Sequence, residues 1–364
     1  MSAEPQLSSE VIYTTRPMVE VNGQTDAMVQ ELMTSMLMTE TEGGLSSLEL
    51  RLGNTARMEQ HGINYAFEFS DNDVLSLGND ISVYSGDEND PQEIFRGKIT
   101  GLELVISEDQ QPELIVLSED KLQQARMQRK TRVFNAMTVN DIVSNLAQEL
   151  GLQPVIHGLQ QSTSVEVQLN ESNLAFLRRL LSRYDADLQV VSDELHVSPR
   201  NDVRRNEITL EVNSQLRHVR LLADLSNQLT KVSFSGWDVA QGQAVTVSRD
   251  TSIASGPGQG STGSQVLNNT LGERAEHISN AAVVNQNEAQ ALIDAFYARR
   301  ERKFVCAEGS AEGNPAIRVG THLSLQGVGP RFENTYYVTR ACHRYDLYRG
   351  YQTEFRAECA FFNG

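Results

Sequence analysis

The feature that most constrains the fold is a helical apolar periodicity within residues 131–199, between two long segments that alternate like β-strands. Apolar side chains over Val139–Leu150, Ile142 among them, recur at spacings of three and four, which predicts an amphipathic helix. Thr138 suits the capping position, because its hydroxyl can accept a hydrogen bond from a first-turn amide. Asp141 suits the positive end of the helix dipole.

A second helix is predicted over Glu171–Tyr184, with Asn170 as its cap and Leu177 on its buried stripe. Two short apolar runs follow, 188–191 and 195–197, separated by turn residues, which predicts a β-hairpin. The sequence therefore predicts a small helical insert that contains a hairpin and spans residues 134–205.

Both flanking segments predict strands separated by polar turns, which is typical of a barrel or a sandwich. In the first half the predicted strands lie within 11–23, 48–52, 81–84, 93–106 and 113–117, with turns at 43–44 and 85–87. The Met-rich residues 26–40 fit either a strand or a short helix, and a strand is preferred. In the second half they lie at 208–212, 232–234, 245–247, 304–307, 317–325, 335–345 and 352–362. A helix is predicted over 287–302, with Ala291, Leu292, Ala295 and Phe296 inward, and a Gly/Ser-rich loop over 251–270.

The two halves share a weak internal repeat. L-G-N-D-I-S-V-Y from Leu77 precedes a strand centred on Ile99, and V-G-T-H-L-S-L-Q from Val319 precedes a strand centred on Val338. Chance β alternation can produce the same pattern; a true duplication makes the halves related barrels. The predicted fold class is therefore α+β and β-rich: two related β-barrel domains, 11–133 and 206–364, joined by the helical insert. The second barrel carries a long loop at 251–285 and the helix at 287–302.

The composition of the chain argues against several classes of protein function. The net charge is -17, which disfavours a free nucleic-acid binder because such proteins gain most of their affinity from neutralising phosphates. The N-terminus has neither a basic start nor an apolar run, and no apolar run spans a bilayer, so neither a signal peptide nor membrane insertion is expected. Three late cysteines, Cys306, Cys342 and Cys359, favour a reducing cytoplasm over a disulfide framework.

Candidate chemistry is sparse, and no cofactor, metal or catalytic residue is predicted. Residues 258–263 match G-x-G-x-x-G, but the dinucleotide mechanism needs a strand before the motif and a helix after it, where the sequence predicts flexible loop. Cys342 and His343, with Cys306 and His322, lack the close pairing of a structural zinc site. Because strand neighbours point to opposite faces, we expect a buried Cys342 beside a surface His343.

A basic run stands out within this acidic chain. This run has two interpretations, a solvated face or a docking patch for an acidic neighbouring copy. Its residues are Arg126, Arg129, Lys130 and Arg132.

Four segments together resemble the late control protein D family of contractile phages. They are F-R-G-K-I-T-G-L-E, T-R-V-F-N-A-M-T-V-N-D-I-V, N-L-A-F-L-R-R-L-L-S-R-Y-D-A-D-L and S-G-W-D. They contain Gly97, Thr138, Asp141, Ile142, Leu177 and Trp237 as family-motif structural positions. That family is related to the central hub of T-even phage baseplates and to the N-terminal part of the type VI secretion spike protein VgrG.

The resemblance implies a non-enzymatic homotrimer. Two barrels per subunit would form a pseudo-hexameric ring, the hub of a contractile tail or injection system, which adapts a threefold spike to a sixfold inner tube and nucleates the tube. Implied partners are a separate spike protein, inner tube subunits and baseplate wedge subunits. The chain would be made in the bacterial cytoplasm and reside in the baseplate. The alternatives are a tail-associated cell-wall hydrolase and a carbohydrate-binding tail protein.

Overall fold

The computed structural model describes residues 16–364, apart from 55, 59–64, 70–72, 88–89, 164, 239–240, 254–255, 280, 282 and 284. The first region contains β1 (Met18–Val21), β2 (Gln24–Thr25), α1 (Ala27–Leu32), β3 (Met33–Thr41), β4 (Ser47–Gly53), β5 (Ala56–Met58), β6 (Tyr65–Phe67), β7 (Asp80–Asp87), β8 (Asp90–Val105) and β9 (Glu113–Asp120). The insert contains β10 (Arg129–Asn135), α2 (Val139–Glu149), β11 (Gln153–Ile156), β12 (Val165–Ser172), α3 (Asn173–Ser182), β13 (Ala186–Val191) and β14 (Glu194–Pro199).

The last region contains β15 (Asn206–Glu211), β16 (Leu216–Ala223), β17 (Lys231–Asp238), β18 (Gln243–Arg249), β19 (Ser261–Thr262), α4 (Gly263–Thr270), β20 (Ala275–Ile278), α5 (Gln286–Arg302), β21 (Val305–Glu312), β22 (Thr321–Gln326), β23 (Asn334–Asp346), β24 (Gly350–Cys359) and β25 (Phe361–Phe362). No helix in the described part of the chain has the length and apolar character needed to cross a membrane.

One large sheet organises the molecule and contains the same five-strand unit twice. Its order is β16-β21-β24-β23-β3-β4-β9-β8-β7-β1-β2, with β22 beside β23 and β15 beside β22. In chain order, β3, β4, β7, β8 and β9 of the first half pair as β16, β21, β22, β23 and β24 do in the second. The shared connectivity supports the internal repeat read from the sequence.

The turn before each repeated hairpin is built in the same way. Gly78 and Gly320 both adopt a left-handed backbone, with φ of 90° and 87°, which is a conformation that glycine reaches without strain. The Gly78 amide donates to the Ile99 carbonyl at 2.8 Å, and the Gly320 amide donates to the Val338 carbonyl at 2.9 Å. Directly after Ile99 and Val338, the pairing of β8 with β9 and of β23 with β24 shifts by a bulge.

The barrel prediction needs a correction at this point. Among the described strand pairings neither half closes on itself; the halves join edge to edge through β3 and β23 into one open sheet. Each half still has its own apolar core, one built around Val83, Phe95 and Leu50 and the other around Tyr336, Val338 and Phe355. The sequence showed the strands, but alternation alone does not specify which edges meet.

The insert contains the two predicted helices and the predicted hairpin, and also β10, β11 and β12, which were not predicted. Strand β10 begins at Arg129, before the predicted start of the insert at 134. In α2 the amide of Asp141 donates to the Thr138 hydroxyl at 3.1 Å, and the amide of Thr138 donates to the Asp141 carboxylate at 3.1 Å. This reciprocal capping box fixes the helix start. The cap of α3 is Ser172, not Asn170, because Glu171 is still paired with β10 in the strand that precedes the helix. Ile142 and Leu177 are both fully buried in the core of the insert, as predicted.

The second half carries a small α/β layer that the sequence analysis did not separate from the sheet. Strands β17, β18 and β20 form a three-stranded sheet, and α5 packs against it. The buried face of α5 contains Ala289, Ile293 and Tyr297; of the four residues predicted to face inward, only Ala295 is buried. Leu292 and Phe296 of the predicted face are partly buried and pack against the same core. Arg302, at the end of the helix, is also buried and pairs with Asp185.

Other local predictions are partly wrong. Residues 26–40 form both a short helix, capped by Asp26, and the strand β3. Residues 85–87 continue β7 instead of turning, because they pair with the start of β8. The predicted strand at 11–23 is observed as β1, and residues 11–15 lie outside the described part of the chain.

The large sheet has two unlike ends. Four antiparallel pairings separate β23 from β8, so these strands run parallel, and the turns that follow them, 106–112 and 347–349, lie at the same end. The opposite end is where β9 leads into the insert and β16 leads into the α/β layer. There the two accessory units touch: Arg299 donates to the Ser182 carbonyl at 2.8 Å, and Arg302 pairs with Asp185.

Candidate assembly surface

The join between the halves is a seven-residue antiparallel pairing. Residues 340–346 of β23 lie opposite residues 35–41 of β3. The side chains that face the cores, Ala341, His343 and Tyr345 on one strand and Met36 and Met38 on the other, are all buried. The apolar face of β23 at residues 340–346 is therefore covered because the first half lies beside it.

His343 at this join departs from the expectation of a surface histidine. It is fully buried, its ring stacks on Tyr351, and its Nδ1 lies 2.7 Å from the Tyr351 hydroxyl. Burial, together with the nearby Arg318 charge, lowers the pKa of His343 to about 3, so the ring is neutral at ordinary pH. The expectation failed because His343 lies on the core-facing side of β23, between Ala341 and Tyr345, where the halves meet.

Buried ion pairs hold the three regions together beside this join. Glu40 of β3 pairs with Arg318 and accepts a 3.0 Å bond from the Val319 amide. Arg200, which ends the insert hairpin, pairs with Glu42 of the first half and with Glu358 of β24 at 3.2 Å. One cation thus bridges insert, first half and second half.

Two further pairs lie where the insert meets the second half. Arg205, the last residue of the insert, donates to the Asp187 carboxylate at 2.6 Å and to the Val319 carbonyl of the second half at 2.8 Å, and Arg302 of the second half binds Asp185 bidentately. Truncating one partner of a buried pair leaves the other charge without compensation, so these contacts specify one relative placement of the regions.

The first half has a counterpart of the join, which no described strand covers. It is here called the β8 tail, residues 101–106: residues 101–105 pair with β9 on one side, beyond the last pairing of β8 with β7, and Ile106 follows them directly. Leu102, Leu104 and Ile106 are 39, 50 and 60% exposed, whereas Ala341, His343 and Tyr345 at the matching positions of β23 are at most 6% exposed. An exposed apolar strand edge of this kind pairs readily with another chain.

The opposite free edge is β16, the terminal strand in the sheet order. Its core-facing residues Val219, Leu221 and Ala223 are only partly buried, while Met36, Met38 and Glu40 at the matching positions of β3 are buried. On the other face of the two edges lie Glu103 in the β8 tail and Arg220 in β16, both exposed. The two edges are therefore apolar on one face and opposite in charge on the other.

The basic run forms a network within the chain. Lys130 lies 3.0 Å from the Glu149 carboxylate, and Arg132 contacts the same group, which lowers the pKa of Glu149 to about 2. Arg126 pairs with Glu119, and Arg129 donates to the Asn170 carbonyl at 3.3 Å. Lys130 and Arg132 offset a carboxylate at the negative end of α2. The docking role of the four basic residues stays a prediction.

Two motif positions lie in the sheets. Gly97 sits where a Cβ atom would stand 2.2 Å from the Glu119 carbonyl oxygen, so the close strand approach requires glycine. Trp237 is 58% exposed on the solvent side of β17, away from any apolar core.

The G-x-G-x-x-G segment packs onto the C-terminal strand. A helix does begin at Gly263, and β19 pairs with β25, which corrects the prediction of a flexible loop over 251–270. A Cβ atom on Gly260 would stand 2.6 Å from the Phe362 carbonyl, and one on Gly258 would stand 2.8 Å from the Cys359 sulfur. These glycines permit close packing of the chain on itself, which leaves no cradle for phosphate.

The candidate metal residues do not gather. Cys342 is buried and lies 3.4 Å from the Thr39 hydroxyl, while His322 contacts the Val203 carbonyl. Over the described ranges, no group of three or more His, Cys, Asp and Glu side chains could hold a metal ion. Cys306, Cys342 and Cys359 are free thiols.

The free edges and the buried ion pairs were missed in the sequence analysis. The β8 tail carried a usable signal, because Leu102, Leu104 and Ile106 alternate with Gly101, Glu103 and Val105 and so give one apolar face. The ion pairs gave no such signal, since their partners are far apart in sequence.

Two solved structures with a similar fold are described as tail proteins. A 43 kDa tail protein of prophage MuSo2 from Shewanella oneidensis aligns with a TM-score of 0.69 at 10% identity, covering 94% of this chain and 97% of that one. A tail protein from Neisseria meningitidis MC58 aligns at 0.65 with 13% identity, covering 94% and 96%. At these identities the likeness establishes the fold.

A third structure links the fold to secretion machinery. The E. coli protein c3393, described as a type VI secretion component similar to the T4 bacteriophage tail proteins gp27 and gp5, aligns at 0.59 with 12% identity, covering 94% of this chain and 76% of that one. No curated protein matches the sequence. The family model described as the Alg8 N-terminal domain matches residues 58–346, which is more than half of the 364 residues. The chain therefore belongs to the family of the Alg8 N-terminal domain.

Proposed function

We propose that the chain is the structural hub of a contractile tail or contractile injection system. Three copies form a ring that adapts a threefold spike to a sixfold inner tube, and the chain itself carries out no catalysis. The observation that carries this proposal is the five-strand unit present twice in one sheet, since three duplicated chains offer six similar units. The tail-protein fold of the solved relatives supports the same proposal.

The unlike ends of the sheet suggest which surface meets which partner. At one end the repeated hairpins place similar turns, 106–112 in the first half and 347–349 in the second, where Leu347 and Tyr348 are exposed. At the other end the insert and the α/β layer each occur once per chain. In a trimer the first end has near-sixfold character and suits a tube ring, whereas the second has only threefold character and suits a spike or the wedge subunits.

The proposal is tested by reconstitution. The purified chain is mixed with the tube and spike subunits encoded beside it, and complexes are examined by native mass spectrometry and negative-stain imaging. We expect trimers that recruit one ring of tube subunits on one end and the spike on the other. A stable monomer at micromolar concentration that recruits neither would contradict the proposal. The variant Tyr348→Asp, at a 93% exposed turn position, should weaken tube recruitment and leave spike recruitment intact.

The proposed setting is the baseplate of a phage tail-like particle in a bacterium. A cell-wall hydrolase on the same tail predicts release of soluble fragments from purified peptidoglycan, and such activity, lost on substitution of an acidic pair, would replace the non-enzymatic proposal.

One observation favours a second candidate, a carbohydrate-binding tail protein. Trp237 lies exposed on a sheet face whose neighbours Ser235, Ala244 and Thr246 are small and also exposed, so a flat ligand could stack on the indole. Glycan-array binding that disappears in Trp237→Ala would support this candidate. An array without binding would remove it.

A further inference from the structure

We infer that copies of this chain join through strand pairing, with the β16 edge of one copy against the β8 tail of the next, in the register already seen between β3 and β23. The inference rests on the proposed trimer for the number of copies. Its contacts are drawn from the internal duplication of this structure.

The register follows from two matching rows across the sheet. In the first half, Leu102 lies opposite Val116, Val116 opposite Leu50, and Leu50 opposite Met36.

In the second half, Ala341 lies opposite Phe355, Phe355 opposite Gly309, and Gly309 opposite Val219. Val219 therefore occupies in its half the position that Met36 occupies in the first, and Leu102 matches Ala341.

Within the chain, Tyr345 lies opposite Met36, His343 opposite Met38, and Ala341 opposite Glu40. Carrying this register to the free edges gives three pairs between copies. The pairs are Ile106 with Val219, Leu104 with Leu221, and Leu102 with Ala223.

All three predicted pairs are apolar, although the register was set without reference to residue type. Each would cover a side chain that the isolated chain leaves exposed or half-buried. A register shifted by one residue would turn Glu103 toward Leu221 and expose the leucines, so the apolar face selects this register over its neighbour.

The other face of the pairing supplies charge complementarity. Glu103 would lie opposite Leu222, and Arg220 opposite Val105, which makes Glu103 and Arg220 diagonal neighbours on one face. Opposite charges at such positions stabilise strand pairs, and long side chains reach across the diagonal. Among the described residues neither side chain has an ion-pair partner within its own chain.

Disulfide trapping tests the register. One tagged batch carries Glu103→Cys and a second, differently tagged batch carries Leu222→Cys, at positions that match Cys342 and Thr39 of the internal join. On mixing and mild oxidation we expect a cross-link that contains both tags. The matched control pairs Leu104→Cys with Leu222→Cys, whose side chains point to opposite faces and should cross-link at least tenfold less. The parent chain reports any background from Cys306.

Charge exchange provides a second readout that does not depend on oxidation. Glu103→Arg alone should weaken assembly at least tenfold in native mass spectrometry, and Glu103→Arg combined with Arg220→Glu should restore it. Leu104→Asp should give folded monomers, while Leu271→Asp, at a 75% exposed residue directly after α4, should assemble normally. Circular dichroism confirms folding in each case.

The outcomes separate the inference from the proposed function. Trimers that form without the cross-link, or with equal cross-linking in the control pair, overturn the edge pairing and leave the hub proposal standing. Cross-linked copies that recruit neither tube nor spike subunits confirm the edge pairing and overturn the hub proposal. Monomers in every assay overturn both.

Discussion

At the residue scale, charged groups at the join between the regions are the least replaceable part of the molecule. Arg200 is 3% exposed, contacts Glu42 and Glu358, and lies 3.8 Å from the centre of the Tyr337 ring. Burial raises the pKa of Glu358, which indicates that this carboxylate depends on its cation.

Replacing Arg200 by alanine should therefore be costly. The substitution leaves two carboxylates near the join without a cation, and the expected loss is about 3–5 kcal/mol in the free energy of unfolding. Chemical denaturation of the parent and the variant measures it. Arg204→Ala is the control, because Arg204 pairs with Glu207 in solvent and should change stability by less than about 0.5 kcal/mol. Equal effects of the two substitutions would contradict the assigned role of Arg200.

His343 predicts a pH dependence of stability. Its pKa falls from about 6.5 unfolded to about 3 folded, so the unfolded chain binds the extra proton between these values. Stability is fully present above pH 6.5 and decreases by at most about 1.4 kcal/mol per pH unit as the pH falls toward 3.

The variant His343→Gln should lack this slope. Asp120 has its pKa raised to about 6 by burial and works in the opposite direction, but it is present in both proteins and cancels in their difference. Denaturation midpoints at pH 7, 6, 5 and 4 provide the comparison, with His277→Gln at an exposed position as control. Parallel pH profiles for the parent and His343→Gln would show that His343 does not titrate as described.

At the element scale, the insert was predictable and the α/β layer was not. The caps and the apolar stripe of α2 are local, so Thr138, Asp141 and Ile142 could be assigned from sequence alone. The buried face of α5 could not be assigned from the sequence, because a tertiary ion pair with Asp185 keeps the charged Arg302 buried. Strand existence follows from alternation, but sheet order depends on contacts between distant residues.

Gly97 supplies the prediction at this scale. In Gly97→Ala the new methyl group would collide with the β9 backbone, which should cost about 1–3 kcal/mol. Gly53→Ala in strand β4, which pairs with the other edge of β9, is the matched control. The atom nearest to its added Cβ is 3.8 Å away, so the substitution should be neutral or slightly stabilising. Thermal denaturation distinguishes the two. A neutral Gly97→Ala would mean that β8 and β9 are farther apart than described.

At the scale of the whole molecule, helix α3 of the insert is anchored to the first half at the turn 43–44. Arg178 of α3 donates to the Gly43 and Gly44 carbonyls, each at 2.9 Å, and Gly44 also abuts Leu122 and Leu188. The sequence identified both the turn and the helix, but nothing in it showed that they touch.

Arg178→Ala should loosen this anchor and reduce assembly of copies more than it reduces helix content. Two hydrogen bonds from a charged donor are lost, at about 1.5–3 kcal/mol each at most. Native mass spectrometry follows assembly and circular dichroism follows the helices. Arg129→Ala, which removes one exposed bond to Asn170, is the control. Unchanged assembly in Arg178→Ala would show that the insert does not orient the first half.

The pairing of β3 with β23 has a consequence for how an assembly begins. Because both strands belong to one chain, they meet at a high effective concentration and without the loss of translational freedom, roughly 4–15 kcal/mol, that separate molecules incur on association. Dilution weakens every contact between copies but leaves this one unchanged. The folded chain therefore already contains one complete interface before it encounters any other molecule, and it can act as a nucleus for assembly.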